Sequence, residues 1–386
     1  MTRRCCILIF LLFNLTSIKG QDPTGHVGKD SLTFSGQLSA WTFVNEHRPR
    51  TGFGGRYIPQ LNYRVKGDKE MLLDFEFSLN LNGTLQYFNN DSVPGNANLR
   101  PYRAWVRYSS SQFELRAGLQ KINFGSASML RPLMWFEQVD PRDPLRITTG
   151  VWGVLGRYYF LNNTNVWLWG LLGNRDPKTW ELGKTEKWRP EFGGRLQTPF
   201  ASGEAGISFH HRQADTQGVG NGIPELSPIP ENRIGIDGKW DYVVGIWIEA
   251  AWINKQRNVS TLTNQHIFNV GTDYTFNIGN GLNATFEQLL ISNDETPFEF
   301  MEPTWFSALS LSYPATLSDT FNAIIYYDWT NSSSYNFINW KRQFDQFYLY
   351  VMGYWNPSTY ALPQQRGSGG TLFTGKGVQI MFVYNH

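Results

Sequence analysis

Leu73, Phe75, Phe77, Leu79 and Leu81 alternate without a break with Asp74, Glu76, Ser78, Asn80 and Asn82. Successive side chains of an extended chain point to opposite faces, so this stretch is a ribbon that is oily on one side and wet on the other. Five apolar residues in register on a tilted strand cover roughly the hydrocarbon thickness of a membrane. The pattern recurs along the chain, and no apolar run approaches the ~20 residues of a spanning helix.

The first twenty residues stand apart. Thr2-Arg3-Arg4 is a basic head, Cys5 to Leu15 is nearly all apolar, and small residues lead to Gly20-Gln21. That is the layout of a secretory signal peptide, which leaves 21–386 as one domain. Its removal takes both cysteines, so the mature chain has no disulfide and no thiolate metal site. It also takes Arg3, Arg4 and Lys19, leaving 31 bases against 32 acids, a net charge of −1. That balance gives no general attraction to nucleic acid. Aromatic residues make up 16% of the chain and include 15 tryptophans. An exported, cysteine-free, aromatic-rich and alternating chain points to an all-β fold, a closed antiparallel transmembrane β-barrel of the cell outer membrane. The alternative is a large secreted β-sandwich or propeller.

Strands are expected at Leu32–Phe43, Arg56–Arg64, Leu73–Asn82, Leu99–Tyr108 and Phe113–Gln120. After a long break come Val151–Phe160 and Val166–Gly173, then the pairs 191–197 with 204–212, 233–240 with 244–253, 267–276 with 282–290 and 305–313 with 320–328. The last three are Tyr335–Trp340, Phe344–Tyr354 and Gly375–Tyr384. Short links such as Lys66-Gly67-Asp68 and Asn162-Asn163 alternate with long ones, as in bacterial barrels with short periplasmic turns and long external loops. The count is about eighteen strands; sixteen is the second choice, because Tyr335–Trp340 is a weak strand. The C-terminal run Val378 to Tyr384 is similar to the signal read by the barrel-assembly machinery, displaced by Asn385-His386.

Between Gly125 and Thr149 alternation stops, and Arg131, Glu137, Asp140, Arg142 and Asp143 are concentrated there. A charged irregular segment of that length calls for a function. With both termini in the periplasm it is the third external loop, expected to fold into the lumen as a constriction. The inward positions of the early strands carry Arg56, Arg64, Arg103, Arg107, Arg116, Arg157, Arg195 and Arg212, with Gln120 beside them. Strands ~5 Å apart would align these as a basic ladder able to pass an anion from site to site. The competing reading pairs the arginines with Asp74, Glu76, Glu114 and Glu191. Later strands carry Glu249, Asp273 and Glu287, which predicts a transverse field across the pore.

The pattern Arg116-x-Gly118-x-Gln120, then Gly125, then Asp140-Pro141-Arg142-Asp143 resembles the alginate-export type of porin-like barrel of Gram-negative outer membranes. It departs where that family often has a basic residue and a Trp, since Leu119 and Phe124 stand there. The resemblance implies an eighteen-stranded channel with an arginine-lined path for an acidic polysaccharide, Arg116 lining the conduit, and Asp140 and Asp143 in the infolded loop.

The expected function is therefore passive, selective diffusion of small hydrophilic solutes, anionic or acidic-saccharide in type, through a barrel held by outer-membrane lipid. The alternative is a closed barrel whose loop tryptophans (Trp180, Trp188, Trp355) bind surface polysaccharide. No enzyme is expected: His210-His211 face opposite sides of a strand and lack an acid-His-Ser spacing, so a phospholipase reading is poor. His47 and His266 lack metal-ligand spacing, and Gly218-x-Gly220-x-Gly222 lacks the strand–helix context of a nucleotide loop, so no metal or cofactor is expected.

Overall fold

A computed structural model describes residues 30–46, 51–67, 71–88, 91–139, 142–220, 222–357, 373 and 375–386. The leader expected at 1–20, Asp68 and Asp140 lie outside these residues. The described strands are β1 (Asp30–Asn45), β2 (Thr51–Lys66), β3 (Leu72–Phe88), β4 (Asp91–Ser109), β5 (Phe113–Gln120), β6 (Val151–Tyr159) and β7 (Asn165–Leu171). They continue with β8 (Lys184–Thr185), β9 (Glu191–Phe200), β10 (Gly203–Asp215), β11 (Ile229–Asp241), β12 (Gly245–Lys255) and β13 (Asn264–Phe276). The last six are β14 (Leu282–Asp294), β15 (Thr304–Pro314), β16 (Asp319–Asp328), β17 (Ser333–Gln343), β18 (Phe347–Trp355) and β19 (Lys376–Asn385).

Each strand pairs antiparallel with its neighbours, and β1 pairs with β19, from Gln37 opposite Asn385 to Asn45 opposite Gly377. The sheet is thus closed, which leaves no edge for lipid to desolvate. The two-residue β8 touches only the end of β10, while β7 pairs directly with β9, so eighteen strands make the wall among the described residues. β17 is a full wall strand, paired along its length with β16 and β18, which decides for eighteen over sixteen.

Alternation places the two kinds of side chain on opposite faces. On β3, Phe77 is 52% exposed on the outside, while Ser78 is fully covered on the inside. Outward Leu38, Val44, Phe286, Ile338 and Phe382 continue the apolar belt that lipid would cover. One rim carries only connections of two to five residues, together with the start of β1 and the end of β19; the other carries every longer connection and three short ones, 46–50, 89–90 and 329–332. β3 and β4 run further than expected: Phe88 and Asp91–Asn98, outside the expected strands, continue the ladder, with Asn82 opposite Asn98 and Thr84 opposite Asn96. Beyond the membrane both faces of a strand are wet, so hydrophobic periodicity disappears although backbone pairing goes on.

Candidate functional site

Residues 121–150 join β5 to β6 as the third connection on the long-loop rim. Their partners lie on the far side of the barrel. Glu249 of β12 accepts the Ala127 N–H at 2.6 Å and the Leu133 N–H at 3.2 Å. Glu287 of β14 accepts the N–H groups of Ser128 (2.6 Å), Met129 (3.1 Å) and Leu130 (2.6 Å), and Asn269 donates to the Leu130 carbonyl at 2.6 Å. A segment that leaves β5 and bonds inward side chains of β12 to β14 must cross the lumen. Five irregular N–H groups that water would otherwise satisfy are met by two wall carboxylates.

Apolar packing completes the crossing. Ile122, Phe124, Met129, Leu130, Leu133 and Trp135 form one buried cluster with wall residues that include Trp169, Ile253, Ile267, Leu289 and Tyr326. Phe124 stacks on Trp169 at 5.6 Å, and Phe136 meets His210 edge-on at 4.9 Å. On the other side Leu145 packs against a second cluster of Trp41, Phe43, Phe337, Tyr350 and Met352, and Phe373 of the last connection joins it. The segment thus packs between two walls.

Two glycines of the sequence pattern have local reasons to be glycine. Gly125 has φ +96° and lies against Glu249, where a Cβ would collide with the carboxylate. Gly118 has φ +119°, and a Cβ there would run into the Ala104 carbonyl of β4.

The described charged residues expected at a constriction brace the loop. Arg131 bonds Glu137 at 3.2 Å, Asn123 and the Phe124 carbonyl, and Lys121 lies 3.4 Å from the other Glu137 oxygen. Trp180 of the next connection donates its indole N–H to the Arg131 carbonyl. Arg142 is buried over the Phe373 ring at 4.9 Å, and Asp143 accepts the Leu145 N–H at 3.0 Å.

The ladder arginines separate into two groups. Near the short-connection rim Asp74 takes Arg64 and Arg107, while Glu114 takes Arg116 at 3.2 Å, Arg157 at 3.5 Å and Arg107 at 3.6 Å. Arg116 and Arg107 lie over the Trp105 ring, and Arg157 over Trp167 at 3.9 Å. Counting Arg56, which lies over the Trp41 ring at 5.6 Å, with Arg103 and the nearby Glu76, six ladder arginines face three carboxylates, so they keep a surplus of three positive charges. Arg103 itself is buried and bonds Thr148, tying the end of the crossing segment to β4. Gln120 is also consumed by structure, donating to the Arg116 and Gly153 carbonyls.

The second group is sealed in the wall. Arg195 pairs with Asp237 at 2.6 Å under the Phe124 ring. Arg212 pairs with Glu231 at 2.6 Å and Glu181 at 3.2 Å, and Arg233 and Lys255 join the same carboxylates. Glu181 comes from the connection after β7, so this network clasps that connection to the wall. Burial by itself would raise the Glu181 carboxyl, but Arg212 and Arg233 overcome it and hold it below its usual range.

Sequence reading did not find this clasp, because its members come from β10, β11, β12 and a loop, and only Glu231 and Arg233 share a short spacing. The roles of Glu249 and Glu287 were also missed: of the three carboxylates on the acidic side of the expected transverse field, these two instead accept backbone N–H groups of the loop. A signal existed: Ile246-Trp247-Ile248-Glu249-Ala250-Ala251-Trp252-Ile253 has lost its alternation, as a strand covered on both faces does. His210 and His211 face opposite sides; His210 is buried, accepts the Trp169 indole N–H at 3.2 Å and lies 3.3 Å from Glu191.

No protein-family pattern matches the sequence, and no curated protein matches it. Solved structures do resemble the fold. Pseudomonas aeruginosa OccK5 (OpdH) superposes with a TM-score of 0.56 at 10% identity, covering 92% of this chain and 97% of that one. Pseudomonas aeruginosa OccD3 (OpdP) gives 0.54 at 7%, covering 92% and 91%, and Acinetobacter baumannii OccAB1 gives 0.54 at 8%, covering 92% and 96%. At such identities the likeness speaks for fold alone, and that fold is a closed antiparallel barrel.

Proposed function

We propose that the chain is an outer-membrane channel for passive, selective diffusion of small hydrophilic anions, acidic saccharides among them. The observation that carries this reading is the arginine surplus around Trp105, Glu114 and Trp167, on the inner wall between the crossing segment and the short-connection rim. Arg107, Arg116 and Arg157 are 14–25% exposed and share acceptors, so each keeps donors for a passing carboxylate. Their sharing of Glu114 keeps the site weak enough to release an anion. The acidic-saccharide side also draws on the resemblance to alginate-export barrels. Arg195, Arg212 and Gln120 are assigned to the frame, and Arg131, Glu137, Arg142 and Asp143 to the constriction. Assembly through the C-terminal strand by the barrel-assembly machinery belongs to the same reading.

Reversal potentials of the refolded protein in planar bilayers test it. Anion preference that falls in Arg116→Ala is the expected result, and cation preference unaffected by that change would remove the proposal.

One observation favours a second reading, a closed barrel that binds surface polysaccharide: the lumen is crossed by a segment with its own apolar packing on both sides. Trp188 and Trp355 remain exposed for sugar stacking, whereas Trp180 is buried. Absence of conductance together with glycan binding by whole cells would favour this second reading.

A further inference from the structure

The crossing segment is held to the far wall at two places, and the two holds are unequal. Glu287 of β14 takes three successive N–H groups, those of Ser128, Met129 and Leu130, and Asn269 donates to the same carboxylate at 3.2 Å. These bonds fix the tip of the segment. Glu249 of β12 takes only Ala127 at 2.6 Å and Leu133 at 3.2 Å, one on each side of that tip. The chain is pressed onto this second hold, since Gly125 has no room for a Cβ against the Glu249 Oε1.

The surroundings of Glu249 leave its charge to the segment. No cation contacts it among the described residues; the charged groups that face it are Arg131 of the segment and Asp237, its register partner on β11. Arg131 is committed to Glu137 at 3.2 Å, and Asp237 to Arg195 at 2.6 Å. On the other side its register partner is the uncharged Asn269 of β13, with Glu287 of β14 beyond. Glu181 and Glu231 differ in kind, because Arg212 and Arg233 hold their charges directly.

A carboxylate offers both oxygens as acceptors, whereas a carboxylic acid turns an O–H outward from one of them. One proton on Glu249 therefore replaces a charge-assisted bond by a donor facing a donor, at Ala127 or at Leu133. The hold consists of those two bonds, so half of it is lost. We infer that Glu249 is a proton-operated catch: in acid it releases residues 131–136 from β12 while Glu287 keeps the tip in place, and the lumen widens. For its effect on conductance this inference rests on the channel reading.

The test measures the refolded full chain at about pH 7 and about pH 4.5, by single-channel conductance in bilayers and by amide exchange in vesicles, corrected for intrinsic exchange. Acid is expected to raise conductance several-fold and to speed exchange at Ala127 and Leu133 roughly tenfold, leaving Ser128 to Leu130 unchanged. Glu249→Gln keeps one acceptor oxygen and puts an amide NH2 at the other, so it is expected to show the acid behaviour already at neutral pH, with no further rise. His210 is the imidazole that meets the segment, at Phe136; His210→Gln is expected to keep the acid response. Heat-modifiable gel mobility reports barrel closure in each variant. An acid response that persists in a closed Glu249→Gln barrel, one that disappears in His210→Gln, or unchanged exchange in the wild-type barrel would each overturn the catch. Faster exchange at Ala127 and Leu133 in a barrel that conducts at neither pH would uphold the catch and remove the channel reading instead.

Discussion

The wall from β2 to β7 and the wall from β9 to β14 are built on the same alternation, yet they spend their charges differently. In the first, Arg64, Arg107, Arg116 and Arg157 share Asp74 and Glu114 near one rim and remain partly exposed, three of them beside Trp105 and Trp167. In the second, Arg195, Arg212 and Arg233 are sealed against Asp237, Glu231 and Glu181, and two further carboxylates hold the crossing segment by its backbone. An inward arginine is thus no evidence of a solute site by itself. What matters is whether its acceptors are already complete and whether anything covers it.

The contrast can be broken most forcefully at the carboxylates. The double change Glu249→Ala and Glu287→Ala strips five loop N–H groups of their acceptors and is expected to cost about 5 kcal/mol. Its signature is a several-fold rise in single-channel conductance with faster amide exchange over 126–133; unchanged conductance and unchanged exchange would show that the loop is held by apolar packing alone. Next comes Arg212→Ala, which leaves Glu181 and Glu231 short of a partner in a buried site and is expected to cost ~3–5 kcal/mol. Urea unfolding in lipid vesicles reads that loss. Gly125→Ala should cost ~2–3 kcal/mol in the same assay, from positive φ and the collision with Glu249.

Arg116→Ala sharpens the comparison from the other side. Its stability change is expected to stay within ~1 kcal/mol, because Glu114 keeps Arg107 and Arg157, while the reversal potential moves toward cations. If Arg116→Ala destabilised the barrel as much as Arg212→Ala, the division of the wall into a solute side and a frame side would fail.

The smallest effect is with pH. Glu181 is held below its ordinary value by Arg212 and Arg233 against the opposing effect of burial. A depressed carboxyl stabilises the fold above its unfolded value of ~4.3 and loses that contribution as pH falls through the folded value. Amide protection of 178–186, corrected for intrinsic exchange, should therefore hold from neutrality down to about pH 4 and fall only in stronger acid. Loss already near pH 6 would mean that the clasp is not an ion pair.

Strand number and face were legible because lipid outside and polar groups inside impose a two-residue period on every spanning segment, as in Leu73 to Asn82. The third connection of the long-loop rim was legible from the interruption between Gln120 and Val151. Legibility ended where tertiary contact replaced water. Phe124, Trp135 and Phe136 look like loop residues in sequence and become a lumen core, and Asn96 and Asn98 look like a turn and continue a ladder.

By itself the sequence determined a closed membrane barrel, because period, length and the lack of apolar helices are local properties of each strand. It also determined which residues face inward, since a pleated chain allows only two sides. Only the tertiary structure decided which inward charges are spent. Ion pairs such as Glu181 with Arg212, and backbone bonds such as Glu287 with Leu130, join residues tens to hundreds of positions apart. Closure of the sheet brings those partners together, and no local pattern encodes that distance.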